Sequence, residues 1–131
     1  MASQLASRKI LIVDDNVDSV DLIADLLSMY GHVTAKAYGG AGGIETAINF
    51  QPDVMLVDLG MPEVTGYAVV KKLRQYPQMD DVVMVAYTAW DDATTRKQTS
   101  IAGFDEHLAK PADIERLLEV ISLTRPKPQV I

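Results

Sequence analysis

Five times along this chain a short strand-like run gives way to a stretch with helical spacing, and four of the runs end on residues able to do chemistry. The apolar runs at 10–13, 54–57, 82–85 and 104–109 are closed by Asp14-Asp15, Asp58, Thr88 and Lys110-Pro111. An apolar run without alternation reads as a strand buried on both faces, the condition of strands inside a parallel sheet. Strands alternating with helices build a doubly wound α/β fold, here a (βα)5 three-layer sandwich with one five-stranded parallel sheet and helices on both faces. The strands of such a sheet all end on one side, where ligands bind. Three carboxylates, one hydroxyl and one ammonium therefore converge on one rim. That set suits a divalent cation and a phosphoryl group.

The rest of the pattern assigns the elements. Residues 8–13 form the first strand. Asn16 or Asp18 caps a helix whose Ile23, Leu26, Leu27 and Tyr30 keep i, i+3, i+4, i+7 spacing, and Gly31 stops it. Residues 32–37 alternate, which suits a more peripheral second strand. Gly39-Gly40 turns the chain into a helix carrying Ile44, Ala47 and Ile48 that ends before Pro52. The third strand, 53–58, leads into a loop holding Gly60, Pro62 and Gly66. A helix with Tyr67, Val70 and Leu73 follows and closes near Pro77. Strand four spans 82–87, a polar helix runs from Asp91 to about Ala102, and strand five reaches Leu108. The last helix carries Ile114, Leu117, Leu118 and Ile121. We expect one domain, 8–124, between an N-terminal tail, 1–7, and a C-terminal tail, 125–131, whose Arg125-Pro126-Lys127-Pro128 start should not pack.

Composition narrows the function classes. With 131 residues, 48% hydrophobic and 23% charged, the chain is long and apolar enough for a sizeable core. It has no cysteine, which removes disulfides and thiolate metal sites. No apolar stretch approaches the roughly 18 residues that span a bilayer. The polar start, 1–9, does not read as a secretory signal, so a cytoplasmic location is the default. A net charge of −6 with no basic stripe disfavours nucleic acid as the direct partner.

Taken singly, each rim residue has a bland use. Asp14 and Asp15 can open a turn and cap the first helix. Asp58 can be a strand-end turn residue, Thr88 a structural hydroxyl, and Lys110 a solvated charge. Yet two adjacent carboxylates repel one another, and a divalent cation removes that conflict; Mg²⁺ favours few carboxylates together with waters and phosphate oxygens. Gly60 has no side chain to block its carbonyl from a metal, and Pro62 stiffens the same loop. Pro111 biases Lys110 toward extended backbone, which aims its side chain across the rim. Four bland explanations in register at one edge are jointly improbable.

Over roughly residues 7–124 the chain resembles the receiver domains of two-component response regulators, the CheY-like fold. The matching pieces are Ile-Leu-Ile-Val-Asp-Asp-Asn at 10–16, Asp58-Leu59-Gly60-Met61-Pro62 with Gly66, Tyr87-Thr88-Ala89, and the run from Gly103-Phe104 to Lys110-Pro111. The resemblance implies the flavodoxin-like strand order 2-1-3-4-5. It implies Asp58 as phosphoacceptor, Mg²⁺ held by Asp14, Asp15, Asp58 and the Gly60 carbonyl, and Thr88 and Lys110 on phosphoryl oxygens. The donor it implies is a phosphohistidine on a sensor histidine kinase or a histidine phosphotransfer domain. The output is a downstream protein, with a homodimer through the 91–124 face as a family-level expectation. Such a domain catalyses its own phosphorylation and dephosphorylation and is not a turnover enzyme.

Two positions depart from the family pattern. The switch ring three residues before the lysine is usually Tyr or Phe and here is His107. It is either a surface-proximal imidazole or still the rotameric switch that follows Thr88, with added pH sensitivity. Trp90, two residues after Thr88, is either a surface aromatic or a screen against attacking water. Rival classes are a flavodoxin-type carrier, a haloacid-dehalogenase-type phosphatase and a degenerate receiver that only binds protein. The first lacks its phosphate loop after strand one, the second has Gly60 where its second Asp belongs, and the intact acidic set opposes the third.

Overall fold

A computed structural model of the chain describes residues 6–125. Five strands, β1 (Lys9–Val13), β2 (Val33–Ala37), β3 (Val54–Val57), β4 (Val83–Thr88) and β5 (Glu106–Ala109), form one parallel sheet in the order β2-β1-β3-β4-β5. Helices α1 (Val17–Met29), α2 (Gly40–Phe50), α3 (Gly66–Leu73), α4 (Ala93–Ala102) and α5 (Ile114–Ile121) connect and follow the strands. A 3-10 turn, Pro77–Met79, links α3 to β4. The doubly wound architecture and the strand order are those expected.

Alternation within each strand divides the core into two layers. Leu11, Val13, Met55, Val57, Met84 and Ala86 point to one face, against Ala47 of α2 and Val69, Val70 and Leu73 of α3. Ile10, Ile12, Val54, Leu56, Val83 and Val85 point to the other, against α1 and α5. Strands buried on both faces need apolar residues at every position, which is why β3 reads Val-Met-Leu-Val without a polar break. The edge strand β2, by contrast, buries only Ala37.

Caps explain the helix starts. Asn16, rather than Asp18, accepts from the Ser19 amide at the head of α1, Thr65 caps α3, Asp92 caps α4 and Asp113 caps α5. Gly31 takes φ +90° just after α1, a conformation that costs glycine little. The polar helix begins at Ala93 rather than Asp91 because Asp91 and Asp92 lie outside its first turn. Only Thr99 of α4 is buried, and Ile101 is 77% exposed.

Two expectations are corrected. The buried face of α1 is Val20, Ile23, Ala24 and Leu27, with Leu26 at its margin and Tyr30 exposed. Its stripe begins one turn earlier than the one containing Tyr30, because Tyr30 is already the C-cap. Arg125, expected in a tail that does not pack, lies with its Nε 2.9 Å from Asp105 Oδ1 and donates to the Asp80 carbonyl. The rest of that tail, 126–131, is outside the described residues.

Candidate functional site

The rim is set by backbone hydrogen bonds that extend the sheet past its strands. The Asp58 amide donates to the Val13 carbonyl (2.9 Å), the Asp14 amide to Ala37 (3.1 Å) and the Lys110 amide to Thr88 (2.8 Å). These bonds tie Asp14, Asp58 and Lys110 to adjacent strand ends, so side chains 96 residues apart in the chain meet. Ligand oxygens of Asp14, Asp15 and Asp58 all lie within 4.8 Å of one another. Lys110 Nζ sits 2.5 Å from Asp14 Oδ2 and 3.8 Å from Asp58 Oδ1, and 5.4 Å from the centroid of the Tyr87 ring. The Lys110-Pro111 bond is cis.

Burial and charge work against ionising Asp58. Desolvation first, and the neighbouring Asp14 carboxylate second, raise its proton affinity, while Lys110 and the Leu59 amide partly offset them. Asp14 is 3% exposed and Asp15 is exposed, so the cluster runs from the sheet interior to solvent. Asp14 Oδ1 also accepts from the Asn16 amide (3.0 Å), which orients the carboxylate toward Lys110. Oxygen donors only, crowded into a small acidic mouth, are the donor set of a hard cation such as Mg²⁺ rather than of zinc or copper.

The loops around the rim are tightly fitted. A Cβ at Gly66 would overlap the Asp58 carbonyl oxygen, so only glycine lets α3 start so close behind the acidic loop. A Cβ at Gly60 would fall 2.6 Å from the Trp90 ring. The indole thus leans on the Asp58 loop although it is 55% exposed. Thr88 is buried, and its Oγ1 accepts from the Trp90 amide at 3.3 Å.

His107 is 5% exposed, not a surface imidazole. Its Nε2 lies 2.8 Å from the Trp90 carbonyl and 3.7 Å from Asp91 Oδ1. The structure therefore brings together all of Asp14, Asp15, Asp58, Thr88 and Lys110, with Gly60, Trp90 and His107 in a second arc beside them. Sequence reasoning missed the Lys110–Asp14 pair, the Tyr87 ring near Lys110, and Asp91 beside His107. The second was visible in principle, since Tyr87 and Lys110 stand at the ends of the neighbouring strands β4 and β5; the first was not, because β3 and β4 separate β1 from β5. Asp91 was not, because it depends on the path of a loop.

Comparison with known proteins points the same way. The family model of the response regulator receiver domain matches residues 10–122. Protein PilH of Pseudomonas aeruginosa is 31% identical over 114 residues, spanning 87% of this chain and 94% of that protein. The DNA-binding dual master transcriptional regulator RpaA of Synechocystis is 34% identical over 110 residues, 84% of this chain but 46% of that longer protein. Among solved structures, the receiver domain of sensor histidine kinase PA1611 of Pseudomonas aeruginosa has a TM-score of 0.80 at 26% identity, covering 88% of this chain and 95% of that one. That structure carries a magnesium ion in its active-site cleft.

Proposed function

The chain belongs to the response regulator receiver family, a family of signalling modules rather than turnover enzymes, and on that premise we propose that Asp58 is its phosphoacceptor. The supporting observation is the carboxylate of Asp58 at a buried strand end, sharing a 4.8 Å cluster with Asp14 and Asp15 and lying 3.8 Å from Lys110 Nζ. The phosphoryl donor is a phosphohistidine of a sensor kinase or phosphotransfer domain. An Asp58 oxygen attacks phosphorus, the O–P bond forms as the N–P bond breaks, and the imidazole leaves with the electron pair. Asp14, Asp15, Asp58 and the Gly60 carbonyl are the residues that would hold Mg²⁺. When bound, the ion neutralises phosphoryl charge and relieves the repulsion among the carboxylates. Lys110, already held at the rim by Asp14, pairs with a phosphoryl oxygen. The Thr88 hydroxyl, which accepts from the Trp90 amide, has its proton to donate to another.

Output runs through His107 and the α4–β5–α5 face, 91–124, to a downstream protein or a second copy of the chain. His107 acts as the ring that follows Thr88, and Trp90 screens Asp58 from attacking water. The site of action is the cytoplasm; no helix among the described residues is long and apolar enough to cross a membrane. The central test is incubation with Mg²⁺ and phosphoramidate followed by intact-mass analysis of the wild type and Asp58→Asn. A phosphoryl adduct is expected in the first and none in the second, and an adduct that survives the substitution would remove the assignment. Unaltered dephosphorylation of Trp90→Ala would separately remove the screening role.

A further inference from the structure

Helices α3 and α4 leave between them an open groove of about 440 Å³, lined among others by Tyr67, Ala68 and Lys71 from α3 and by Gln98, Ile101 and Ala102 from α4. Its walls are mostly apolar. The Tyr67 ring stands edge-on to Phe104 with centroids 6.5 Å apart, and its hydroxyl donates to Gln98 Oε1 at 3.4 Å, so the two walls are tied across the groove. Ile101, the most exposed residue of its kind in the chain's apolar set after Met29, lies in this lining. A lone exposed apolar side chain means little, but one set in an apolar trough rimmed by polar groups marks an interaction site.

The charge around the trough has one sign. The chain carries a net charge of −6, yet α3 and α4 hold Lys71, Lys72, Arg96 and Lys97 and no carboxylate. Arg96 is taken up by Asp91, 2.5 Å away, and Lys72 Nζ lies 5.9 Å from the centroid of the Tyr76 ring. Lys71 and Lys97 are exposed and have no ion-pair partner among the described residues. Lys97 is four residues before Ile101, and Lys71 four after Tyr67, so each ammonium shares a helix side with an apolar wall residue. The acids at the two ends of α4 are engaged: Asp92 caps it through the Thr95 amide (2.7 Å), and Asp105 pairs with Arg74 (2.7 Å) and Arg125 (2.9 Å). Two helices offer no strand edge for an extended peptide to pair with, so an occupant must satisfy its own backbone hydrogen bonds, as a helix does.

We propose that the α3–α4 groove docks an acidic amphipathic helix of a partner protein, its apolar stripe against Ile101 and Tyr67 and its flanking carboxylates on Lys71 and Lys97. The groove uses the side of α4 that faces α3 and shares no residue with the rim, so the proposal stands or falls apart from the phosphoacceptor reading. The probe is an alanine-based peptide with leucines at i, i+3, i+4 and i+7 and glutamates beside them. Its controls are the same peptide with lysine for glutamate, and a scrambled one whose leucines no longer share a face. In an NMR titration of the full-length, ¹⁵N-labelled protein, the glutamate peptide should give saturable shifts at the amides of Lys71, Gln98, Ile101 and Ala102. The lysine peptide should bind at least about tenfold more weakly, since two attractive pairs become repulsive. Ile101→Ala, at an exposed position that leaves the fold alone, should weaken the glutamate peptide about tenfold, and the double variant Lys71→Glu/Lys97→Glu should prefer the lysine peptide. Equal affinity for the glutamate peptide and either control would overturn the proposal, as would an unaffected Ile101→Ala, shifts centred on α5, or no saturation. Two further outcomes would replace the occupant and so overturn it: a short DNA duplex that moves the same amides as tightly, and shifts of these amides on dilution of the protein alone, which assign the groove to a second copy.

Discussion

Replacing Gly66 with alanine puts one methyl group against the backbone that carries Asp58. An ideal Cβ there overlaps the Asp58 carbonyl oxygen and falls 2.9 Å from its carbon and 3.0 Å from Leu59 Cα. All three neighbours are main-chain atoms, so no rotamer change makes room, and either α3 or the loop after β3 must move. Overpacking of this kind costs about 1–3 kcal/mol. Alanine at a helical position returns about 0.5–1 kcal/mol relative to glycine, which leaves a net loss of up to about 2.5 kcal/mol. The functional effect should be larger than the loss of stability, because a displacement near 1 Å in a reacting group costs about a hundredfold in rate. Urea unfolding gives the first quantity and the rate of labelling by phosphoramidate gives the second. Gly42→Ala is the internal control: it lies inside α2 with nothing within 4 Å of its Cβ, so it should gain about 0.5–1 kcal/mol and label normally. A Gly66→Ala protein with the wild-type midpoint and labelling rate would refute the steric argument, and a destabilised Gly42→Ala would refute the entropic part.

Asp58→Asn should stabilise the metal-free protein at neutral pH, because it removes a carboxylate that burial and the Asp14 charge disfavour in its ionised form. The Asp58 pKa is raised by burial and Asp14. Its contribution is therefore intact below the ordinary carboxylate value and is lost as pH rises through the folded value, so the two proteins should converge in acid. His32 runs the other way. Its pKa is lowered by burial and Arg8, so stability should be full above the ordinary imidazole value near 6.5 and decline as pH falls from there toward the folded value, by no more than about 1.4 kcal/mol per pH unit; urea midpoints at pH 7.5, 6.5 and 5.5 measure it, and His32→Gln should flatten the decline. Arg74→Met should cost about 2–4 kcal/mol in urea unfolding. It strips donors from the carbonyls of Gly103, Met79 and Val82 and removes one of the two arginines paired with Asp105.

The parts of the fold legible from sequence are those where one local rule decides. The runs at 10–13 and 54–57 read as buried strands because they are short, apolar throughout and alternate with helical stretches, and Asn16, Asp92 and Asp113 stand where a helix needs a side-chain acceptor. The α1 stripe went one turn astray because Tyr30 satisfies helical spacing as well as Val20 does. Spacing alone does not say which apolar residue a cap removes from the face. The site divides in the same way. Asp14, Asp58, Thr88 and Lys110 were placed by strand ends, which sequence marks, whereas the pairing of Lys110 with Asp14 rather than Asp58 depends on a difference between 2.5 and 3.8 Å. His107 was legible as a departure from pattern, but its burial follows from the loop that carries the Trp90 carbonyl over it.

The Lys110–Asp14 contact bears on why the rim responds to a ligand at all. Three carboxylates against one ammonium leave a net charge of −2 at a sheet end where Asp14 is almost wholly buried. Without a cation the single ammonium satisfies the most buried carboxylate, which is the arrangement that desolvation favours. Asp58 is then left half-buried with a raised proton affinity. Anything that supplies positive charge between Asp14, Asp15 and Asp58 lowers the energy of the folded rim more than that of the unfolded chain, and so binds with folding free energy behind it. On the proposed reading, a phosphoryl group on Asp58 would add negative charge beside an ammonium that lies 3.8 Å from Asp58 Oδ1, in competition with Asp14 for it. Thr88 sits on the neighbouring strand end with the Trp90 amide on its hydroxyl and His107 against the Trp90 carbonyl. On the proposed reading, in which Thr88 follows a phosphoryl group on Asp58, the change would pass to His107 through two hydrogen bonds to Trp90, which is a short and testable route for the signal.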